Sequence, residues 1–234
     1  TEEIILHLLN RLHAKTKCQN VCLTGGVAMN SVANGKVTSQ TPFEQVYVPA
    51  GAAEEVSVPH TVTRGTGASR VAPAADMEPT VIVTVNPFPV FPAAMYEHGL
   101  AIHVASGRRN EHAMTAGMKT TAYTDAIVAF LEARRAGADD SLFLYTAGHC
   151  SEATSSNLFV RAGHELVTPP TSCAALPGIT RDAVLEIART MGVATAERAF
   201  GLDELLGADE AFLTSSLRGI APIARVGGRA LGGG

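Results

Sequence analysis

Apolar residues at Ile4, Ile5, Leu8, Leu9 and Leu12 recur at three- and four-residue steps in "TEEIILHLLNRLHAKT". That spacing predicts an amphipathic helix, with Glu2 and Glu3 favourably placed in its first turn. "NVCLT" (20–24) reads as a short buried strand, followed by a turn at Gly25 and Gly26. "VAMNSVANGKVTS" suits a second helix, and "FEQVYVP" a strand. From Gly51 to Pro79 no period survives, and the Ala, Gly, Pro, Ser and Thr content predicts a linker over 53–79. Order returns with strands at "TVIVTV" (80–85) and "GLAIHVAS" (99–106), separated by the prolines of "NPFPVFP".

The remaining pattern mixes both periods. Lys119 to about Ala136 reads as a helix, with Ala126, Ile127, Ala129, Phe130 and Ala133 facing inward. "SLFLYT" (141–146), "NLFVRAG" (157–163) and "ELVTPP" (165–170) read as strands, the first two joined by a small-residue loop that carries Glu152. "GITRDAVLEIARTMG" (178–192) is a helix ending at Gly192, and "DELLGAD" (203–209) a short one. "EAFLTSS" and "IAPIARV" are strands around a turn. Alternating strands and helices place the chain in the mixed α/β class.

Composition narrows the function classes. The 234 residues are 46% apolar and 17% charged, which suits a packed globular chain with one or two cores. The net charge of −4 and the absence of a basic stripe argue against nucleic-acid partners. No apolar run approaches membrane-spanning length and no leader pattern is visible, so a cytoplasmic chain without a membrane partner is expected. The chain begins at Thr1, which leaves its natural start open. Cys18 and Cys22 are one residue too far apart for a CxxC pair, and Cys150 and Cys173 stand alone. Reduced, structural cysteines and no metal site are expected.

Several residues carry candidate chemistry. A lysine amine becomes a covalent catalyst when burial or a cationic neighbour keeps it partly neutral. Lys119 lies in low-charge company, though on residue chemistry alone an exposed lysine at a helix start is the stronger reading. Glu152 is an isolated carboxylate among Ser, Ala and Thr. Such a group is ordinarily solvated, but facing a pyridine nitrogen it would keep that nitrogen protonated. "PGIT" opens a helix whose free amides, with the Thr180 hydroxyl, could hold a phosphate. "LTSS" (213–216) is a second hydroxyl-rich turn.

The order of these residues resembles the class IV aminotransferases, the fold-type IV pyridoxal-phosphate enzymes. A lysine is followed by "EATSSNLF", then "TPP", "LPGITR", "ADEAFLTSS" and a later proline. The likeness covers roughly 80–234. It implies that this part resembles the large α/β pseudo-barrel domain that binds pyridoxal 5'-phosphate. By resemblance, Lys119 would form the Schiff base and move the substrate proton, and Glu152 would pair with the pyridinium nitrogen. Ile179 and Thr180 would meet the phosphate, and Ser216, with Ser215 beside it, would add hydroxyls. Asn157 and Arg181 match family positions and are read as structural; Tyr123 could flank the cofactor. "KTTAY" and "ITRDAVLEIARTMG" look like the branched-chain branch, so an amino acid and a 2-oxo acid are the implied substrates of a transaminase. Aminodeoxychorismate lyase chemistry on the same scaffold is the alternative. The resemblance also implies a homodimer. The N-terminal lobe that the family carries before 80 is not found, and the family continues beyond Gly234.

Residues 2–52 are similar to a different family. "LTGGVAMNSVANGKVTSQTPFEQVYV" looks like the carbamoyltransferases of the NodU/CmcH type, which have an actin-like ATPase fold. The run is not a phosphate loop of the G-x(4)-GK[ST] type, because Asn30 and Val37 stand at two required positions. By resemblance Gly25, Gly26 and Asn30 would be nucleotide-side residues. A carbamoyltransferase remnant, or an inactive truncated chimera of two enzymes, is therefore a further alternative.

Overall fold

The computed structural model describes residues 2–22, 31–47, 56–65, 79–84 and 86–232. They fall into two compact units, Thr1–Val90 and Phe91–Gly234.

In the first unit, α1 (Glu2–Thr16) is followed by β1 (Asn20–Cys22), α2 (Ser31–Gln40) and β2 (Gln45–Tyr47). β1 and β2 pair in parallel, as a strand–helix–strand unit requires. Leu9, Val21, Val37 and Phe43 make a small core, with the His13 ring edge-on to Phe43. The expected helix at 27–39 thus begins at Ser31 among the described residues. Gly25, Gly26 and Asn30 lie outside the described residues.

Residues 53–79 are not an unbroken linker. They contain β3 (Val56–Ser57) and β4 (His60–Thr63). β4 pairs antiparallel with β5 (Thr80–Val83), and β3 with β6 (Asn86–Pro87). β5 therefore belongs to the first unit, and the division falls at Val90 rather than at 80. These strands are two to four residues long and mostly exposed, so they leave no apolar alternation to read.

The second unit opens with α3 (Ala93–His98) and β7 (Leu100–Arg109). Then come α4 (Thr124–Arg135), β8 (Asp140–Tyr145), β9 (Cys150–Ala153), β10 (Asn157–Ala162) and β11 (Glu165–Thr168). α5 (Ile179–Thr190), β12 (Ala194–Glu197), α6 (Leu202–Leu206), β13 (Glu210–Ser215), β14 (Gly219–Val226) and β15 (Arg229–Ala230) complete it. The main sheet runs β12-β11-β10-β13-β14-β7-β8-β9, and β9 pairs back with β10. The strands from β10 round to β9 thus close a barrel-like ring, while β11 and β12 extend it as a flap. Ile102, Leu142, Leu158, Val160, Leu213 and Ile223 belong to the core that fills the ring.

Two readings change here. The Glu152 segment is a strand, β9, and not a loop. The helix starts at Thr124, so Lys119 precedes it in irregular backbone just after Gly117, whose φ is 72°. α4 packs through its small stripe, Ala126, Ala129 and Ala133, against the sheet, where Ala105 and Phe143 meet it. Ile127 and Phe130, expected inward, are exposed. α4 is apolar on two faces, and alanines allow the closer approach to the sheet.

Candidate active site

Glu152 owes its direction to a β-bulge. Leu142 pairs with Ala153 and Leu144 with Cys150, so β9 spends one more residue than β8 over the same stretch. Cys150 and Ala153 both enter the barrel core, and the extra residue turns Glu152 away from it. The Glu152 side chain is 12% exposed. Its Oε2 accepts the Leu176 N–H at 2.8 Å, and its Oε1 lies 3.3 Å from Arg109 Nη2. Burial pushes the Glu152 carboxyl above its ordinary range; the Leu176 N–H, Arg109 and Lys119 pull the other way.

Lys119 and Glu152 line one cleft of about 100 Å³. Tyr123, Thr154, Ser156 and Asn157 also line it. The Lys119 amine donates a hydrogen bond to the Tyr123 hydroxyl and sits 5.0 Å from its ring centre. Asn157 donates from Nδ2 to the Leu176 carbonyl at 2.8 Å. Leu176 is therefore held through its N–H by Glu152 and through its C=O by Asn157. A larger apolar groove of about 410 Å³ lies elsewhere, between α5 and β11, and contains none of these groups.

The other expected residues stand beside this cleft rather than in its walls. Gly178, the N-cap of α5, approaches Asn157 so closely that a Cβ there would sit 2.0 Å from Asn157 Oδ1. Ile179 and Thr180 begin the helix, whose first turn has no side-chain cap. Its amides are thus available to an anion. Thr214 pairs in register with Asn157, and Ser215 and Ser216 follow it into a turn. Ser215 Oγ accepts the Arg218 N–H at 3.1 Å.

Three buried polar atoms here have no hydrogen-bond partner among the described residues: Arg109 Nε, Ser156 Oγ and Thr214 Oγ1. Unpaired buried donors are costly, and they cluster around Asn157 and Glu152. Together with an amine, a carboxylate and an uncapped helix start, they suit a ligand that carries an aldehyde, a ring nitrogen and a phosphate.

Arg109 escaped the sequence reading. Its guanidinium stacks 4.4 Å over Phe143 and faces Glu152. The paired arginines of "SGRRN" at the end of a strand were its available signal. Asn157, read as structural, also lines the cleft. Arg181 is 3% exposed and bonds to Glu197 Oε2 at 2.7 Å and to the Pro169 carbonyl at 3.1 Å, in keeping with a structural role.

The family "Amino-transferase class IV" matches residues 44–226. The chain belongs to this family. The match begins well before the likeness read from the motifs, which starts at 80. A second family, "Carbamoyltransferase N-terminus", matches residues 1–57. The branched-chain-amino-acid aminotransferase of Escherichia coli K12 is 32% identical over 167 residues, 70% of this chain and 54% of that protein. Branched-chain-amino-acid aminotransferase 6 of Arabidopsis thaliana is 32% identical over 212 residues, 88% of this chain and 58% of that protein. The chain spans a little over half the length of these curated relatives.

Solved structures agree in fold. The crystal structure of E. coli branched-chain amino acid aminotransferase superposes with a TM-score of 0.72 at 30% identity, over 75% of this chain and 59% of that one. The 4-amino-4-deoxychorismate lyase of Pseudomonas aeruginosa reaches 0.70 at 30% identity, over 76% and 66%. These members share the mixed α/β architecture with its barrel-like sheet.

Proposed function

We propose that this chain carries the cofactor half of a pyridoxal-phosphate-dependent aminotransferase that moves an amino group from a branched-chain-like amino acid to a 2-oxo acid. The presence of Lys119 and Glu152 in one cleft, in a chain of this family, carries the reading. A structurally similar branched-chain amino acid aminotransferase has been crystallised with pyridoxamine 5'-phosphate, which supports the choice of cofactor.

When bound, pyridoxal phosphate supplies a carbonyl that condenses with amines and a ring that accepts electrons. Lys119 Nζ would hold the group through that carbonyl and, once displaced there by the substrate's amine, would move the proton at the Cα of the amino acid. Tyr123 orients the amine through its hydroxyl. Glu152 would hold a proton at the ring nitrogen, and Arg109 favours the ionised carboxylate that this role would need. Ile179 and Thr180 at the start of α5, with Ser215 and Ser216, would hold the phosphate. The outer face of α4, where Ile127, Val128, Phe130 and Leu131 are exposed, supports a homodimer.

The test is absorbance. Wild-type protein mixed with pyridoxal phosphate and desalted should keep a visible band, and Lys119→Ala should lose it. Lys119 is exposed, so that substitution should change stability by less than about 0.5 kcal/mol. A folded wild-type protein without the band overturns the reading and favours an inactive chimera. The likeness to the Pseudomonas lyase supports a second reading, cleavage of aminodeoxychorismate on the same residues. Product analysis separates the two: a new amino acid, or pyruvate with 4-aminobenzoate.

A further inference from the structure

Asp140 begins β8 and is wholly buried. Its Oδ1 accepts the Thr154 hydroxyl at 2.5 Å and the Ser141 N–H at 2.8 Å. Its Oδ2 accepts Arg218 Nη1 at 2.8 Å. A buried carboxyl group is costly without partners, and both oxygens of Asp140 have them, one a guanidinium.

The two long-range partners belong to different loops. Thr154 lies in the cleft wall that runs on to Ser156 and Asn157. Arg218 lies in the turn between β13 and β14, which carries Ser216 and follows directly on Ser215 at the end of β13. That turn is closed by one internal bond and fastened at one further point. The Arg218 N–H donates to Ser215 Oγ, and the Arg218 carbonyl accepts the Tyr96 hydroxyl at 3.0 Å. The guanidinium also lies 6.0 Å above the Phe91 ring. One buried carboxylate therefore ties the cleft wall to the hydroxyl-rich turn.

We infer that Asp140 and Arg218 are a positioning couple: they set the spacing between the Thr154–Asn157 wall and the Ser215–Ser216 turn, and so the grip of the site on the phosphate of its ligand. This inference rests on the proposed function. Neither side chain is a catalytic residue. Both act through the residues they hold.

The experiment compares pyridoxal phosphate with pyridoxal, which has the same carbonyl and ring but no phosphate. Dissociation constants of both are measured by absorbance for wild type, Asp140→Asn, Arg218→Ala and Arg218→Lys, with folding checked by circular dichroism. Asp140→Asn and Arg218→Ala should weaken pyridoxal phosphate about 10- to 100-fold, the worth of one charge-assisted hydrogen bond. Pyridoxal should change by less than about threefold, and Arg218→Lys should recover part of the loss. Hydrogen exchange of the ligand-free variants should rise in both 154–157 and 215–219.

Equal losses for the two compounds would indicate general damage and overturn the inference, as would no loss. If Asp140→Asn does not fold, Arg218→Lys, which keeps a cation beside Asp140, decides together with Arg218→Ala, whose side chain is partly solvated and lies outside β8. A wild-type protein that binds neither compound overturns the proposed function, and the inference with it. A wild-type protein that binds both while the variants keep the wild-type ratio overturns the inference alone.

Discussion

Glu152 and Asn157 stand opposite each other across β9 and β10, and their pairing closes the ring of strands. The same two side chains grip the N–H and the C=O of Leu176. Barrel closure and the placement of the α5 start therefore depend on one pair. The carboxylate of that pair also feels the charges of Arg109 and Lys119, which couples the fold to the site.

Glu152→Gln should make the ligand-free protein more stable at neutral pH. Burial holds the Glu152 carboxyl above its ordinary value of 4.5 despite the three groups that lower it. In the unfolded chain it titrates at the ordinary value. Its contribution to stability is therefore fully present below that value and lost as pH rises through the raised folded value. Glutamine cannot ionise, so the melting temperatures of variant and parent should converge in acid and separate above it. Transamination should fall by about 10² or more in the same variant. Thermal melts across pH, beside amino-transfer assays, check both halves.

Arg109→Gln should push the Glu152 carboxyl further up, because it removes one of the groups that lower it. The acidic limb of the pH–rate profile should move to higher pH. A double-mutant cycle with Glu152→Gln should show a coupling of about 0.5–3 kcal/mol, as expected for side chains in contact. A cycle that closes at zero would remove Arg109 from the site.

Gly178→Ala should cost about 1–3 kcal/mol, since its Cβ would meet Asn157 Oδ1 at 2.0 Å. Adding Asn157→Ala should cost less than the two changes measured apart, because the second removes the obstacle to the first. Chemical denaturation of the two single variants and the double variant checks this. The single variant should also bind pyridoxal phosphate more weakly, as the start of α5 is displaced.

Cysteine chemistry offers a check on the core. Burial pushes the Cys150 thiol up to about 12, and Cys173 is raised by burial too. Both are buried and free, whereas Cys18 is exposed. Brief alkylation of the native protein should label Cys18 and spare Cys150 and Cys173, read by peptide mass spectrometry. Unfolding should open Cys150 and Cys173 to the reagent.

Much of the second unit was legible from the chain alone. Strong periods gave away β7, β8, β10, β11, α5, β13 and β14, because each buries one face or both against a large core. Lys119, Glu152, Ile179, Thr180, Ser215 and Ser216 are proposed from their order and residue type, which a sequence displays directly. The short exposed strands β3, β4 and β6 were not legible, since pairing between distant segments holds them and burial contributes little.

Tertiary structure decided the rest. The bulge that turns Glu152 outward depends on how β9 registers against β8, and no local pattern encodes that register. The inward face of α4 was settled by which of two apolar stripes fits the sheet more closely. Arg109 meets Glu152 from a distant strand, and Asp140 meets Arg218 from 78 residues away, contacts that exist only once the ring of strands has closed. By itself the sequence determined which groups could do chemistry and in what order they occur. The meeting of Lys119 and Glu152 in one cleft is a property of the closed sheet, because non-local hydrogen bonds and buried charges choose their partners in space.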